Sequence, residues 1–270
     1  MIFHLVPEQS GHGKDIERAR LEGPAYVQPT QESMLATTSE FLDQVHASNN
    51  CNVFGISLGG AVAYYLHNKR PDKIQRAMLV CPAIPACVDK DLAKGIVNGT
   101  NNFFCFESRN DVKLLFRDLS TGRNDNERKK KDPVPKFFNE AIYRMSKKAS
   151  PDGHYMGLLN SLLKNTPTLN DDNYDAESDG SSEQRRSITN PFAAVSDING
   201  DANRLVIWPQ KDQIINYEQG RQFFEATISN EDSKTQFETI PDCGHVFHSD
   251  GTGIFEIIRP RTREYLLEFS

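Results

Sequence analysis

Short apolar runs alternate with segments of helical period over the first third of the chain. Residues 2–6, 51–54 and 75–80 are brief and apolar, as strands buried in a parallel sheet are. Residues 33–47 place their apolar side chains on one helical face, and residues 59–68 form a second helical segment. This alternation predicts βαβ units, and hence an α/β fold with a mostly parallel sheet.

Apolar residues recur with a helical period throughout residues 88–165, where Phe and Leu predominate. Most of these side chains are expected to pack against one another. A helical insert between two strands of an α/β sheet is also typical of a cap, and caps commonly line ligand sites. We therefore predict that residues 88–165 form a helical cap.

Residues 166–187 carry many Asp, Ser and Glu residues and almost no large apolar ones. Such a segment cannot bury enough surface to order itself, so it is predicted to be a disordered acidic insert. The α/β pattern returns in residues 188–270, with strands at 205–208 and 235–240 and helices at 217–226 and 261–269. The predicted core is thus divided between residues 1–87 and residues 188–270.

The 270 residues include 31 Lys and Arg against 37 Asp and Glu, which gives a formal net charge of −6. Nucleic-acid binding relies on Lys and Arg to neutralise phosphates, so this balance argues against a nucleic-acid partner. The sequence has neither an apolar run long enough to span a membrane nor the features of a signal peptide. Its five cysteines form an odd set without zinc-ligand spacing, which predicts a free thiol, a reducing compartment and no metal site.

A G-x-S-x-G pattern spans residues 55–59, where a predicted strand gives way to a predicted helix. Such a turn is sharp and strained, and it presents the hydroxyl of Ser57 at the helix N-terminus. Gly55 and Gly59 are expected to remove Cβ atoms that would clash in the turn. Ser57 is therefore the candidate nucleophile, and the backbone N–H of Leu58 is the candidate oxyanion donor. The Gly-Lys-Ser/Thr of a phosphate loop is missing from this pattern.

A serine nucleophile needs a general base, and the base needs a carboxylate that orients it. Asp212 and His245 each follow a predicted strand, where the ligand-facing residues of a parallel sheet are found. The order serine, aspartate, histidine predicts a triad of Ser57, Asp212 and His245. His248 is the rival base, and His245 is preferred because Gly244 allows a tight turn just before it.

Five motifs carry a resemblance to a known fold: PEQSGHG at residues 7–13, GISLGG at 55–60, LVCPA at 79–83, IWPQKDQI at 207–214 and PDCGH at 241–245. Taken together, they resemble those of the α/β-hydrolase fold. The chain is most similar to the α/β-hydrolase-domain acylglycerol lipases, which act on monoacylglycerol and lysophospholipid esters. The resemblance implies that Ser57 is the nucleophile, His245 the base and Asp212 the orienting acid. It also implies that the cap is inserted before the strand that carries the acid, and that no cofactor is required.

The chain departs from the family pattern in several places. Pro209 stands where the family has a glycine, and the segment between His245 and Arg259 is longer. Family members also begin with three more strands and a His-Gly loop that supplies the second oxyanion donor, and nothing of that kind precedes Met1. His12 is too close to Ser57 to belong to that loop. We therefore expect an N-terminally truncated sheet in which residues 2–6 either pair directly with residues 52–54 or leave a gap beside them.

The resemblance predicts a serine ester hydrolase that acts on lipid acyl esters and resembles monoacylglycerol lipases. One alternative is a catalytically impaired fragment or a non-enzymatic binding protein of the same fold, because the second oxyanion donor is not found. Another is a carbon–carbon bond hydrolase. The expected partners are a small lipid ester and a membrane surface touched peripherally through the cap, and the expected location is the cytoplasm or the periphery of an intracellular membrane.

Overall fold

The computed structural model describes a parallel sheet and the helices around it. The described residues are 18, 21–22, 30–45, 51–98, 106, 108–120, 136–149, 202–228, 233–248 and 251–267. Residues 2–6, the loop at 7–13, several parts of the predicted cap (99–105, 107, 121–135 and 150–165) and the insert at 166–187 lie outside these ranges. The predictions that concern those segments stay predictions.

Four parallel strands form the described sheet and lie side by side in chain order. They are β1 (Cys51–Ile56), β2 (Ile74–Val80), β3 (Asn203–Pro209) and β4 (Thr235–Ile240). Each coincides with a predicted strand to within a few residues. The predicted mostly parallel sheet is therefore confirmed.

Helices connect and cover these strands. They are α1 (Gln31–Gln44), α2 (Leu58–Lys69), α3 (Lys90–Val97), α4 (Arg109–Ser120), α5 (Lys136–Ala149), α6 (Tyr217–Ile228) and α7 (Ile254–Leu267), with a 3₁₀ turn at Pro85–Cys87. The segment between β2 and β3 contributes α3, α4 and α5, which belong to the predicted cap.

The last helix begins earlier than predicted. The sequence pattern predicts a helix over residues 261–269, directly after Pro260, and proline lacks the N–H that a helix interior needs. In the structure α7 runs from Ile254 through Pro260, and it buries Ile254 and Ile258 one turn apart. Packing of this apolar face outweighs the lost hydrogen bond.

The two central strands form the core of the sheet. Met78 and Leu79 in β2 and Val206 and Trp208 in β3 are fully buried, as expected for parallel strands covered on both faces. On one face α2 packs against β1 and β2, and on the other the end of α7 accepts a hydrogen bond from Arg76 in β2. Because the strands are parallel, the residues that follow them meet at one edge of the sheet.

Arg204, near the start of β3, is a fully buried charge. Its guanidinium lies 5.3 Å from the centroid of the Tyr64 ring and donates a hydrogen bond to Asn68. Its Nε and Nη1 atoms have no hydrogen-bond partner, and none of the carboxylates in the described ranges pairs with it. Burial lowers the pKa of Arg204, and burial together with the Arg204 charge lowers the pKa of His67 to about 4.

Replacing Arg204 with Met is expected to raise the free energy of unfolding by about 1–3 kcal/mol, because a buried charge without a carboxylate partner costs more than an apolar side chain of similar length. Urea denaturation measures the change. The matched control is Arg76→Met: Arg76 donates a hydrogen bond to the Tyr265 carbonyl at 2.9 Å, so its loss should lower stability by about 1 kcal/mol. Any fall in the free energy of unfolding of Arg204→Met would contradict the prediction.

Candidate active site

Ser57 occupies the sharp turn between β1 and α2. Its backbone has φ 52° and ψ −121°, outside the regions that non-glycine residues normally adopt. Hydrogen bonds hold this conformation: the Ser57 N–H donates to Val80 O at 3.0 Å, and its carbonyl accepts from Ala83 at 2.8 Å and Ala61 at 3.0 Å. The strain is thus sustained by β2 and by the segment that follows it.

The glycines around Ser57 are unequal. A Cβ on Gly55 would lie 2.2 Å from the carbonyl oxygen of Gly59, so the predicted need for glycine holds at residue 55. A Cβ on Gly59 would meet nothing within 4 Å, so the prediction that Gly59 avoids a side-chain clash is wrong. The tight position is instead Gly60, where a Cβ would lie 2.9 Å from Pro82. Gly59 matters through its backbone, because its carbonyl oxygen is the atom that a Cβ on Gly55 would strike.

Leu58 is the first residue of α2. The first backbone N–H groups of a helix have no acceptor within the helix, and they lie at the positive end of its dipole. The N–H of Leu58 is therefore suited to a developing negative charge beside Ser57. His12 and Gly13 lie outside the described residues.

Asp212 lies on the loop that leaves β3, and its side chain is buried. One carboxylate oxygen, Oδ1, accepts hydrogen bonds from the backbone N–H groups of Ile214 at 2.9 Å and Ile215 at 3.0 Å. The other, Oδ2, lies 2.6 Å from Nδ1 of His245. The indole N–H of Trp208 donates to the Ile215 carbonyl at 3.0 Å, which fixes the loop against β3.

His245 lies on the loop that leaves β4, with only 8% of its surface exposed. The loop is tied to the Asp212 loop by a backbone hydrogen bond of 2.8 Å from Lys211 to Cys243, and a salt bridge of 2.6 Å joins Lys211 to Asp242. Lys211 lowers the pKa of the Asp242 carboxyl. Since both side chains of this pair are exposed, the backbone contact contributes more to the geometry.

His248 lies farther along the same loop. The Gly244 N–H donates to Phe247 O at 2.9 Å, and the His248 N–H donates to Thr252 O at the same distance. The first of these contacts encloses a bend at His245 and Val246, whereas the sequence predicted a tight turn just before His245. In the part of the chain that the structure describes, the histidine bonded to the Asp212 carboxylate is His245.

The structure brings the candidate residues together to different degrees. Asp212 and His245 are in direct contact, whereas no direct hydrogen bond joins the Ser57 hydroxyl to His245 among the described residues. Catalytic hydrogen bonds are often long without substrate, so this does not argue against the pair. Cys81 lies near all three residues: its thiol faces the Ser57 backbone, and its sulfur is within 4.8 Å of an Asp212 oxygen and a His245 nitrogen.

Sequence reasoning missed Cys81. This residue directly follows β2, its side chain is fully buried, and its sulfur, a carboxylate oxygen of Asp212 and a ring nitrogen of His245 lie within 4.8 Å of one another. Burial raises the pKa of the thiol far above its ordinary value, and the negative charge of Asp212 raises it further. Its position in the sequence could have revealed it. Cys81 follows β2, and β2 lies between β1, which leads to Ser57, and β3, which leads to Asp212.

Cysteine, aspartate and histidine are also metal-ligand types. A metal here would need a thiolate and free lone pairs on the other two groups. The Cys81 thiol is instead held protonated, and both oxygens of Asp212 accept hydrogen bonds. The cluster therefore fits a hydrogen-bond network better than a metal centre.

The cap segment contacts both catalytic loops. Its start pairs with the Asp212 loop, where the Asp89 N–H donates to Ile214 O at 3.2 Å. Farther along, the Phe116 ring of α4 lies 6.3 Å from the ring of Phe247, two residues beyond His245. Apolar side chains of the cap therefore lie beside the candidate site.

A family model for the alpha/beta hydrolase fold matches residues 4–252. The chain belongs to the α/β-hydrolase fold family, and the predicted fold class is confirmed. No curated protein matches the sequence.

Several solved structures share the fold. A putative lipase from Acinetobacter baumannii AYE aligns with a TM-score of 0.61 and 16% identity, covering 88% of this chain and 68% of its own. A meta-cleavage product hydrolase from Pseudomonas fluorescens IP01 aligns with a TM-score of 0.57 and 14% identity, and the alignment covers 92% of this chain and 75% of the hydrolase. A thermophilic esterase from Thermogutta terrifontis aligns with a TM-score of 0.55 and 18% identity, and the alignment covers 89% of this chain and 73% of the esterase. None of the described helices is long and apolar enough to cross a membrane.

Proposed function

We propose that the chain is a serine hydrolase that cleaves acyl esters with Ser57, His245 and Asp212. The observation that carries this proposal is the buried hydrogen bond of 2.6 Å between Asp212 and His245, at the same sheet edge as the strained Ser57 turn. Such a pair supplies the oriented base that a serine of ordinary acidity needs. The lipase and esterase among the structural neighbours share the fold that positions these residues.

The hydrogen bond to Asp212 assigns the proton to Nδ1 of His245 and leaves Nε2 as the base. Nε2 takes the hydroxyl proton as Ser57 Oγ attacks the ester carbonyl, and the N–H of Leu58 stabilises the oxyanion. The tetrahedral intermediate expels the alcohol, which receives the proton from His245. Water, activated by the same nitrogen, then attacks the acyl-enzyme, and the carboxylic acid leaves as Ser57 regains its proton.

The proposed substrate class is a lipid acyl ester such as a monoacylglycerol. Support comes from the apolar cap, because Phe116 and the buried Val112 of α4 belong to the segment that contacts the His245 loop. An acyl chain is best recognised by apolar and aromatic side chains of this kind. The resemblance to acylglycerol lipases in the motifs around Ser57 and His245 also supports a lipid acyl ester as the substrate.

Labelling with a fluorophosphonate probe tests the nucleophile. The probe should modify the full-length protein on the peptide that contains Ser57, and Ser57→Ala should abolish labelling. The matched control is Ser39→Ala on α1, where the serine hydroxyl accepts a hydrogen bond from Arg70, and this variant should label normally. Labelling that persists in Ser57→Ala would refute the assignment.

The same protein then tests the substrate class. A long-chain monoacylglycerol should be hydrolysed faster than a short-chain nitrophenyl ester. Labelling without hydrolysis of either ester would favour the catalytically impaired alternative. Cleavage of a meta-cleavage product in preference to both esters would favour a carbon–carbon bond hydrolase.

A further inference from the structure

Cys81 has a strained backbone at the centre of the candidate site. Its φ is 35°, in the left-handed region that non-glycine residues seldom occupy. The Cys81 N–H donates to Ile207 O at 2.9 Å, which continues the pairing of β2 with β3 past the end of β2. Such strain persists only where the surroundings enforce it, and it is common at functional sites.

The Cys81 side chain lies beside the proposed triad. Its sulfur lies within 4.8 Å of an Asp212 carboxylate oxygen and of a His245 ring nitrogen, and it faces the Ser57 backbone. The thiol is fully buried, and burial together with the negative charge of Asp212 raises its pKa well above the ordinary value, so the thiol is protonated. A protonated thiol has one hydrogen-bond donor, and the Asp212 carboxylate is the charged acceptor beside it.

The Asp212 carboxylate is held at both oxygens. The N–H groups of Ile214 and Ile215 hold Oδ1, the His245 ring holds Oδ2, and the Cys81 sulfur lies nearby at the end of β2. A further donor on the β2 side would restrict rotation about the Cβ–Cγ bond and would keep Oδ2 directed at Nδ1 of His245.

We propose that Cys81 is a positioning residue, whose S–H donates to Asp212 and thereby aligns the Asp212–His245 pair with Ser57. This inference rests on the proposed function in calling the pair catalytic. The hydrogen bond itself can be measured without any turnover.

Cys87 provides a matched control. It is as fully buried as Cys81, and burial alone raises the pKa of its thiol. A purely packing role predicts the same response at both positions, with Ala tolerated better than Ser because a buried hydroxyl needs a partner. A positioning role predicts the reverse order at residue 81, because Ser retains a donor toward Asp212 and Ala does not.

The first measurement is the kinetics of Cys81→Ala and Cys81→Ser. Cys81→Ala should lower kcat by about tenfold with little change in KM, and Cys81→Ser should restore most of the loss. Cys87→Ala and Cys87→Ser should show no such inversion. Equal kcat in wild type and Cys81→Ala, or a Cys81→Ser variant no better than Cys81→Ala, would overturn the proposal.

The second measurement reads the hydrogen bond directly and needs neither activity nor the Ala variant. The S–H stretching band of Cys81, assigned by infrared difference spectra against Cys81→Ser, should lie at lower frequency than that of Cys87, assigned in the same way. The far-downfield proton resonance of His245 Nδ1 should persist in Cys81→Ser. An S–H band of Cys81 at the Cys87 frequency would overturn the positioning role, whether or not the protein hydrolyses esters.

Discussion

Replacing His245 with Ala is expected to lower kcat by about 10⁴-fold or more, and Asp212→Asn by about 10⁴-fold. The first variant removes the base that deprotonates Ser57. The second keeps the shape of the side chain but replaces the oxygen that accepts from His245 Nδ1 at 2.6 Å, so the ring loses the tautomer that leaves Nε2 free. Initial rates on a monoacylglycerol, with folding checked by circular dichroism, measure both effects.

The matched control is His248→Ala. His248 lies on the same loop, but the Asp212 carboxylate is bonded to His245, so this variant should lose less than about tenfold in kcat. Comparable losses in His245→Ala and His248→Ala would move the base to residue 248. Full activity in Asp212→Asn would remove the carboxylate from the mechanism.

Replacing Gly55 with Ala is expected to lower the free energy of unfolding by about 3 kcal/mol and to abolish labelling of Ser57. The added Cβ would lie 2.2 Å from the Gly59 carbonyl oxygen and 2.7 Å from the Gly60 nitrogen, both of them backbone atoms of α2. Backbone cannot rotate away as a side chain can, so the turn itself must shift. Urea denaturation and probe labelling measure the two consequences.

Gly59→Ala and Gly60→Ala complete this series. At Gly59 a Cβ meets open space, and alanine is the better helix former, so stability should rise by about 0.5–1 kcal/mol. At Gly60 the Cβ would press on Pro82, so the change in the free energy of unfolding should lie between those of Gly55→Ala and Gly59→Ala. A Gly59→Ala protein as unstable as Gly55→Ala would show that the clash distances do not govern this turn.

Much of the fold could be predicted from local pattern. Parallel strands buried on both faces are continuous apolar runs, and for this reason β2 and β3 were recognisable from residues such as Met78 and Val206. The proximity of Asp212 to His245 could also be predicted, because both residues directly follow strands and parallel strands end at one edge. These inferences need only the chain order and the period of the apolar residues.

The remaining features depend on contacts between distant segments. Cys81 looks like an ordinary core cysteine until β3 brings Asp212 beside it. Gly59 and Gly60 are alike in sequence, and only the approach of Pro82 distinguishes them. Likewise, Arg204 resembles an exposed cation at the start of a strand, and its burial against Tyr64 follows from how α2 packs on the sheet.

The pairing of β2 with β3 has a consequence for the folding rate. Val80 is opposite Ile207 in the sheet, although the whole cap and the acidic insert lie between them in the chain. The entropy of closing a loop rises only with the logarithm of its length, so each doubling costs about 0.6 kcal/mol. Shortening this connection would therefore change the equilibrium little. Folding slows as contacts become more distant in sequence, so we expect the pairing of β2 with β3 to form late and shortening of this connection to raise the folding rate.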